Sequence, residues 1–208
     1  MPKPRSKPDA NAVQRAISIF RAHHGMLRMS QAVEAGVHRN TLYSMLEDGL
    51  IERLARGLYR LSEAPPLGTP DLVTVTHKIP HSVICLISAL AHHEMTTQIP
   101  HEVHVAIARN SEPPRLEYPP IRVYRFSGSA FSEGIEVVQM DGVSVRIYNR
   151  EKTLADCFKY RNRIGVDTAI EALRVYKERG RIDVESLIRY AKICRVASVM
   201  RPYLEAVL

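Results

Sequence analysis

The chain lacks any apolar run long enough to span a membrane, and its first nine residues, MPKPRSKPD, lack the apolar core of a secretory signal, so a cytoplasmic protein is expected. Cysteine is scarce. The three that occur, Cys85, Cys157 and Cys194, are odd in number and far apart, each in an apolar-patterned segment. That argues against a disulfide framework or a zinc site and for small core side chains. There is no Walker-type loop. A nuclease core is not expected either, because Asp141 followed by Glu151-Lys152 has neither the spacing nor the strand placement it would need. A nucleotidyltransferase needs a Gly-Ser turn before paired carboxylates that hold magnesium, and Gly128-Ser129 is followed only by Ala130-Phe131-Ser132-Glu133. His92-His93-Glu94 and His101-x-x-His104 fall at a helix end and a strand start, with nothing nearby to complete a metal site. The expectation is no catalytic residue, no metal, no cofactor and no enzyme activity.

What the chain has is positive charge. A formal net charge of +7 and a pI near 9.5 favour an acidic partner such as nucleic acid, and 45% hydrophobic residues over 208 positions suffice for two small cores.

Residues 27–61 are the most informative stretch. Ser30 is a good N-cap for a short helix over 31–35, which turns at Gly36-Val37 and hands over to a second helix over 39–48. In that second helix Leu42, Met45 and Leu46 share one apolar stripe, which turns Asn40, Tyr43, Ser44 and Glu47 away from the core. Gly49 ends it. Segments 50–53 and 57–61 then read as two short strands around Ala55-Arg56, a wing made basic by Arg53, Arg56 and Arg60. A solvent-facing second helix beside a cationic hairpin is the outline of a winged helix-turn-helix. In it Arg39, Asn40, Tyr43 and Ser44 approach base edges, and the wing arginines hold phosphates. His38 stands where a Ser or Asp cap would be expected, so either His38 contacts DNA itself or the helix start is displaced.

The rest of the chain divides around this module. Residues 1–9 read as a flexible basic arm, 10–62 as the DNA-binding domain with a first helix striped by Val13, Ala16, Ile17 and Phe20, and 63–70 as a proline-rich linker. Residues 71–208 form the second domain. A helix over 71–78 and a more apolar one over 81–93 come first. Strands follow at 102–108, 121–126, 135–140 and 143–148, the last pair joined across Asp141-Gly142. Helices then cover 149–161, 166–179, 183–194 and 197–207. The fold class expected is α+β: an N-terminal winged helix-turn-helix, then a mixed domain with a small, mostly antiparallel sheet flanked by helices. In 149–163, Lys152, Asp156, Lys159 and Arg163 share one helix face, opposite Leu154, Cys157 and Phe158. That face is either a solvated ion-pair stripe or, through Lys152, Lys159 and Arg163, a second basic surface for nucleic acid or a partner.

The order of GVHRNTLYSMLEDGLIERLARGLYRL, a proline-rich joint, a mixed domain and NREKTLADCFKYR resembles the AbiEi family of type IV toxin–antitoxin antitoxins. The resemblance implies a bacterial autorepressor that binds inverted repeats in double-stranded DNA upstream of its own operon. It also implies an antitoxin C-terminal domain opposing a nucleotidyltransferase toxin without a stable complex, in an abortive-infection, phage-defence setting. By position it carries Arg39, Asn40, Thr41, Tyr43 and Ser44 onto the recognition helix, Arg53, Arg56, Gly57 and Arg60 onto the wing, and Lys152, Thr153 and Asp156 onto an antitoxin surface. Occupying an inverted repeat requires a homodimer or cooperatively bound monomers. The alternative is a winged-helix module attached to a nucleotide-binding or enzymatic C-terminal domain.

Overall fold

The computed structural model describes residues 9–180 and 182–207. The expected basic arm lies outside the described residues except for Asp9, whose carboxylate accepts from the Asn11 amide and caps the first helix. The chain forms two compact units, one running to His77 and including Met140–Val143, the other made of Lys78–Gln139 and Ser144–Leu208.

In the first unit, α1 (Ala10–Ala22) buries Ala16 and Phe20. Gly25, at φ +77°, then turns the chain into β1 (Met26–Arg28), a strand too short for its alternation to be read from the sequence. α2 (Met29–Glu34) starts before the expected Ser30 cap. Arg28 holds the cap position, its amide donating to the Gln31 side chain at 3.0 Å, and Ser30 lies inside the helix. α3 (Arg39–Glu47) follows, then β2 (Ile51–Ala55) and β3 (Leu58–Leu61). The wing is part of a three-stranded antiparallel sheet of order β1-β3-β2, so β3 is its middle strand. A register shift between Arg53 and Ala55 bends the hairpin before Gly57, which takes φ +73°. Phe20, Leu27, Leu42, Met45, Ile51, Tyr59 and Leu61 close the core over the sheet. α4 (Pro70–Lys78), with proline at its first position, groups with this unit through His77. So does the turn at Asp141-Gly142, where both residues have positive φ (51° and 77°), as a two-residue hairpin turn of this type requires. The Asp141 carboxylate accepts from the amides of Gly68 and Thr69 at 3.0 and 3.1 Å.

The second unit contains β4 (Val83–Ile84), α5 (Leu86–His92), β5 (Val103–Ala108), β6 (Ile121–Phe126), α6 (Ser129–Ser132), β7 (Ile135–Met140) and β8 (Val143–Tyr148). After them come α7 (Arg150–Lys159), α8 (Arg161–Ile164), α9 (Val166–Glu178), α10 (Val184–Ile193) and α11 (Ala197–Val207). The strand order is β6-β5-β4-β8-β7. Pairing is mixed: β5 with β6 and β4 with β8 are parallel, β4 with β5 antiparallel. The central strand β4 lies inside the stretch expected to be one helix over 81–93. An unbroken apolar run carries no period by which strand and buried helix can be told apart. The fold class is α+β, with helices, a small antiparallel sheet and a mixed sheet.

Two histidines, His104 buried and His77 half-buried, are held toward the neutral form. His104 on β5 is 3% exposed, and burial, then the nearby Arg122, push it down to about 4. Glu102 is 3.7 Å from its ring but bonds to Arg122 at 2.6 Å, which cancels the pull that carboxylate would exert on a proton. His77 on α4 is likewise lowered to about 4 by burial and by Arg28. In the unfolded chain both protonate near pH 6.5. Because the folded pKa is depressed, the stability contribution is full above about 6.5 and is lost as pH falls toward 4. Urea unfolding followed across that window should show a falling midpoint, and His104→Leu should flatten the fall; an equal fall in the variant would show that His104 carries none of it.

Candidate nucleic-acid interface

The recognition helix is anchored from beneath. Leu42 and Met45 are fully buried, and Thr41 is only 4% exposed. His38 sits at the N-cap with extended backbone, and its ring nitrogen accepts from the Asn40 amide at 3.3 Å. The helix start is therefore not displaced: the imidazole supplies the acceptor that a Ser or Asp cap would. Arg39 and Asn40 are exposed and Tyr43 is half-buried. Ser44 is half-buried and its hydroxyl donates to Asp48 at 3.3 Å, at the helix end. Of the helix residues, Thr41 is corrected: the same turn that projects Asn40 outward rotates Thr41 into the core.

The wing divides in the same way. Arg53 and Arg56 are exposed and flank the turn at Gly57. Arg60 does not join them. On the middle strand it is 7% exposed, donating to the Glu52 carboxylate at 2.8 Å and to the Pro65 carbonyl. A guanidinium that is nearly buried and already neutralised by a carboxylate is unavailable to a phosphate, so Arg60 ties the wing to the segment that leaves it.

In the second unit the REKTLAD helix is packed on every side. Lys152, Thr153 and Asp156, expected on an antitoxin surface, are all 0% exposed. The Lys152 ammonium bonds the Asp156 carboxylate at 2.5 Å and lies 4.0 Å from the Tyr148 ring centroid and 4.8 Å from that of Phe126. The Cys194 thiol donates to the other Asp156 oxygen at 3.2 Å, and the Thr153 hydroxyl to the Tyr148 carbonyl at 3.1 Å. Burial pushes the Asp156 carboxyl above its usual range, opposed by the Lys152 charge and hydrogen bond. These three residues hold the core together and present no surface. Of the same stripe, Lys159 is half-buried and Arg163 exposed. Beside them the fold places Arg125 of β6, whose backbone carbonyl accepts from Tyr160 at 3.1 Å. The sequence carries no signal for that neighbour, because the pairing of β5 with β6 and the packing of α7 are needed to bring it there. Among the described residues no group of three or more His, Cys, Asp or Glu side chains could hold a metal ion.

A three-helix core, a turn between α2 and α3 and a β hairpin with exposed arginines make the first unit a winged helix-turn-helix of the kind found in transcriptional regulators. Residues 14–62 match the family model described as "Transcriptional regulator, AbiEi antitoxin". No curated protein matches the sequence. Among solved structures, the crystal structure of RV2827C protein from Mycobacterium tuberculosis is similar with a TM-score of 0.61 at 12% identity, over 92% of this chain and 74% of that one. That likeness is one of fold.

Two substitutions separate support from contact. Arg60→Ala removes a nearly buried side chain with its bonds to Glu52 and the Pro65 carbonyl and is expected to cost about 1–3 kcal/mol in urea unfolding, whereas exposed Arg53→Ala should stay within about 0.5 kcal/mol. In the second unit, Lys152→Met leaves a buried carboxylate without its cation, at an expected cost of about 3–5 kcal/mol, part of which the double change Lys152→Met with Asp156→Leu restores. A single change that proves neutral by the same measurement would remove the buried pair from its central role.

Proposed function

We propose that the protein is a sequence-specific DNA-binding autorepressor and the antitoxin of a bacterial type IV toxin–antitoxin system, acting in the cytoplasm without catalysis or cofactor. Its partners are inverted repeats upstream of its own operon and a nucleotidyltransferase toxin that it counters without stable association. In this reading residues 10–62 read DNA, 63–70 link and 71–208 carry the antitoxin activity, with the correction that the residues through His77 and Met140–Val143 pack with the first unit.

The observation that carries the DNA-binding part is the pairing of an exposed Arg39-Asn40 edge on α3 with exposed Arg53 and Arg56 on the adjoining wing, in the segment that matches an antitoxin regulator family. Arg39 and Asn40 reach base edges first, since the start of the recognition helix enters the groove and its cap, His38, lies beside the phosphates. Tyr43 and Ser44 lie one turn further on. Arg53 and Arg56, with Gly57 setting the turn between the strands, neutralise phosphates. An inverted repeat then takes two readers, as a homodimer or as two cooperatively bound monomers.

Fluorescence anisotropy against DNA from upstream of the gene and a scrambled duplex, at two salt concentrations, tests this reading. Binding should favour the upstream duplex and weaken with salt. Arg53→Ala should weaken both duplexes and reduce the salt slope by about 1, while Asn40→Ala should cost about 1–3 kcal/mol on the upstream duplex alone. Equal affinity for both duplexes, or equal effects of the two variants, would overturn the assignment.

A further inference from the structure

A second group of cations lies in the helical unit. Arg109 follows β5, Arg125 ends β6, and Lys159 and Arg163 lie at the end of α7 and in α8. One ring gathers them. The Tyr160 hydroxyl donates to the Arg125 carbonyl at 3.1 Å, and the Lys159 ammonium and Arg163 guanidinium stand 5.8 Å from the Tyr160 centroid. The Arg125 guanidinium bonds the carbonyls of Arg109 and Ser111 at 2.6 and 2.8 Å, which joins the β5 end to the same patch. Arg109, Arg125 and Arg163 are exposed and Lys159 is half-buried.

None of these four cations has a carboxylate partner among the described residues, in contrast to Arg122, Arg179 and Arg189, which do. The local sequence is free of acid: there is none between Glu117 and Glu133, and none between Asp156 and Asp167. Asp156 itself is buried and taken by Lys152. Cations grouped on neighbouring elements, without a bonded carboxylate, keep a positive potential at the surface, and the ligand that neutralises several at once is a chain of phosphates. The patch offers no exposed helix long enough to enter a groove, since α7 is buried from Lys152 to Phe158 and α8 has four residues. Contact is therefore with backbone and not with base edges.

We infer that Arg109, Arg125, Lys159 and Arg163 form a second nucleic-acid site, one that takes the phosphodiester backbone without sequence preference. RNA and DNA share that chemistry, and the two are separated by experiment. The inference stands independently of the role given to the winged helix.

The test uses the full chain with Asn40→Ala, Arg53→Ala and Arg56→Ala, which removes the contribution of the first unit. Anisotropy is measured against labelled single-stranded RNA, the same sequence as single-stranded DNA, and the duplex, over a salt series. Binding should persist in this background. Adding Lys159→Gln and Arg163→Gln should lower the log–log salt slope by about 2 on a duplex or about 1.4 on a single strand, with an affinity loss of roughly tenfold or more. Exposed Arg174→Gln with Arg195→Gln removes the same charge elsewhere and should leave most of the binding. Arg109→Gln, at an exposed side chain that makes no bond among the described residues, should leave stability unchanged and lower the slope by about 1 on the duplex. Binding of RNA alone, DNA alone or both supports the site and names its source. Absence of binding in the background, or equal loss in the Arg174 and Arg195 control, overturns it.

Discussion

The second unit depends on an ion pair that water does not reach. Lys152 and Asp156 lie one helical turn apart on α7, 2.5 Å from each other and wholly enclosed. Enclosing two charges is costly, and the pair repays that only if the remaining hydrogen-bonding capacity is also met. Here Cys194 donates to the second carboxylate oxygen, and two aromatic rings face the ammonium as cation–π partners. Around this pair α5, α9, α10 and the sheet close over α7, and Gly134 passes so near that a side chain there would lie 2.6 Å from Lys152.

The first unit rests on a division of labour within a few residues. Thr41 and Arg60 turn inward and hold the recognition helix and the wing in place, while Asn40, Arg39, Arg53 and Arg56 turn outward. A contact surface on a short helix and a hairpin has little rigidity of its own. The imidazole cap of His38 and the bonds from Arg60 to Glu52 and Pro65 supply it.

The stripe along α7 and α8 joins these themes. Lys152, Asp156 and Lys159 follow one another along α7 and Arg163 lies in α8, and exposure rises along the series, from enclosed at Lys152 and Asp156 through half-buried at Lys159 to open at Arg163. One row of polar residues therefore serves the core at its beginning and the surface at its end. Charge type alone cannot say where the change falls, because it is set by how far the covering elements extend along the helix.

The sequence by itself determined what is local. Helical periodicity placed α1, α3 and the helices after Asn149, alternation placed β5 to β8, and Asp141-Gly142 placed the hairpin turn, because these signals reside in spacings of two to four residues. Tertiary structure alone decided the short strands β1 and β4, which exist only through pairing with strands distant in the chain. It also decided that Thr41, Arg60, Lys152, Thr153 and Asp156 are enclosed, and that Arg125 comes to stand beside Tyr160. A polar side chain in a helix or strand reads as solvent-facing until the packing of remote segments over it is known, since burial belongs to the neighbours and not to the residue.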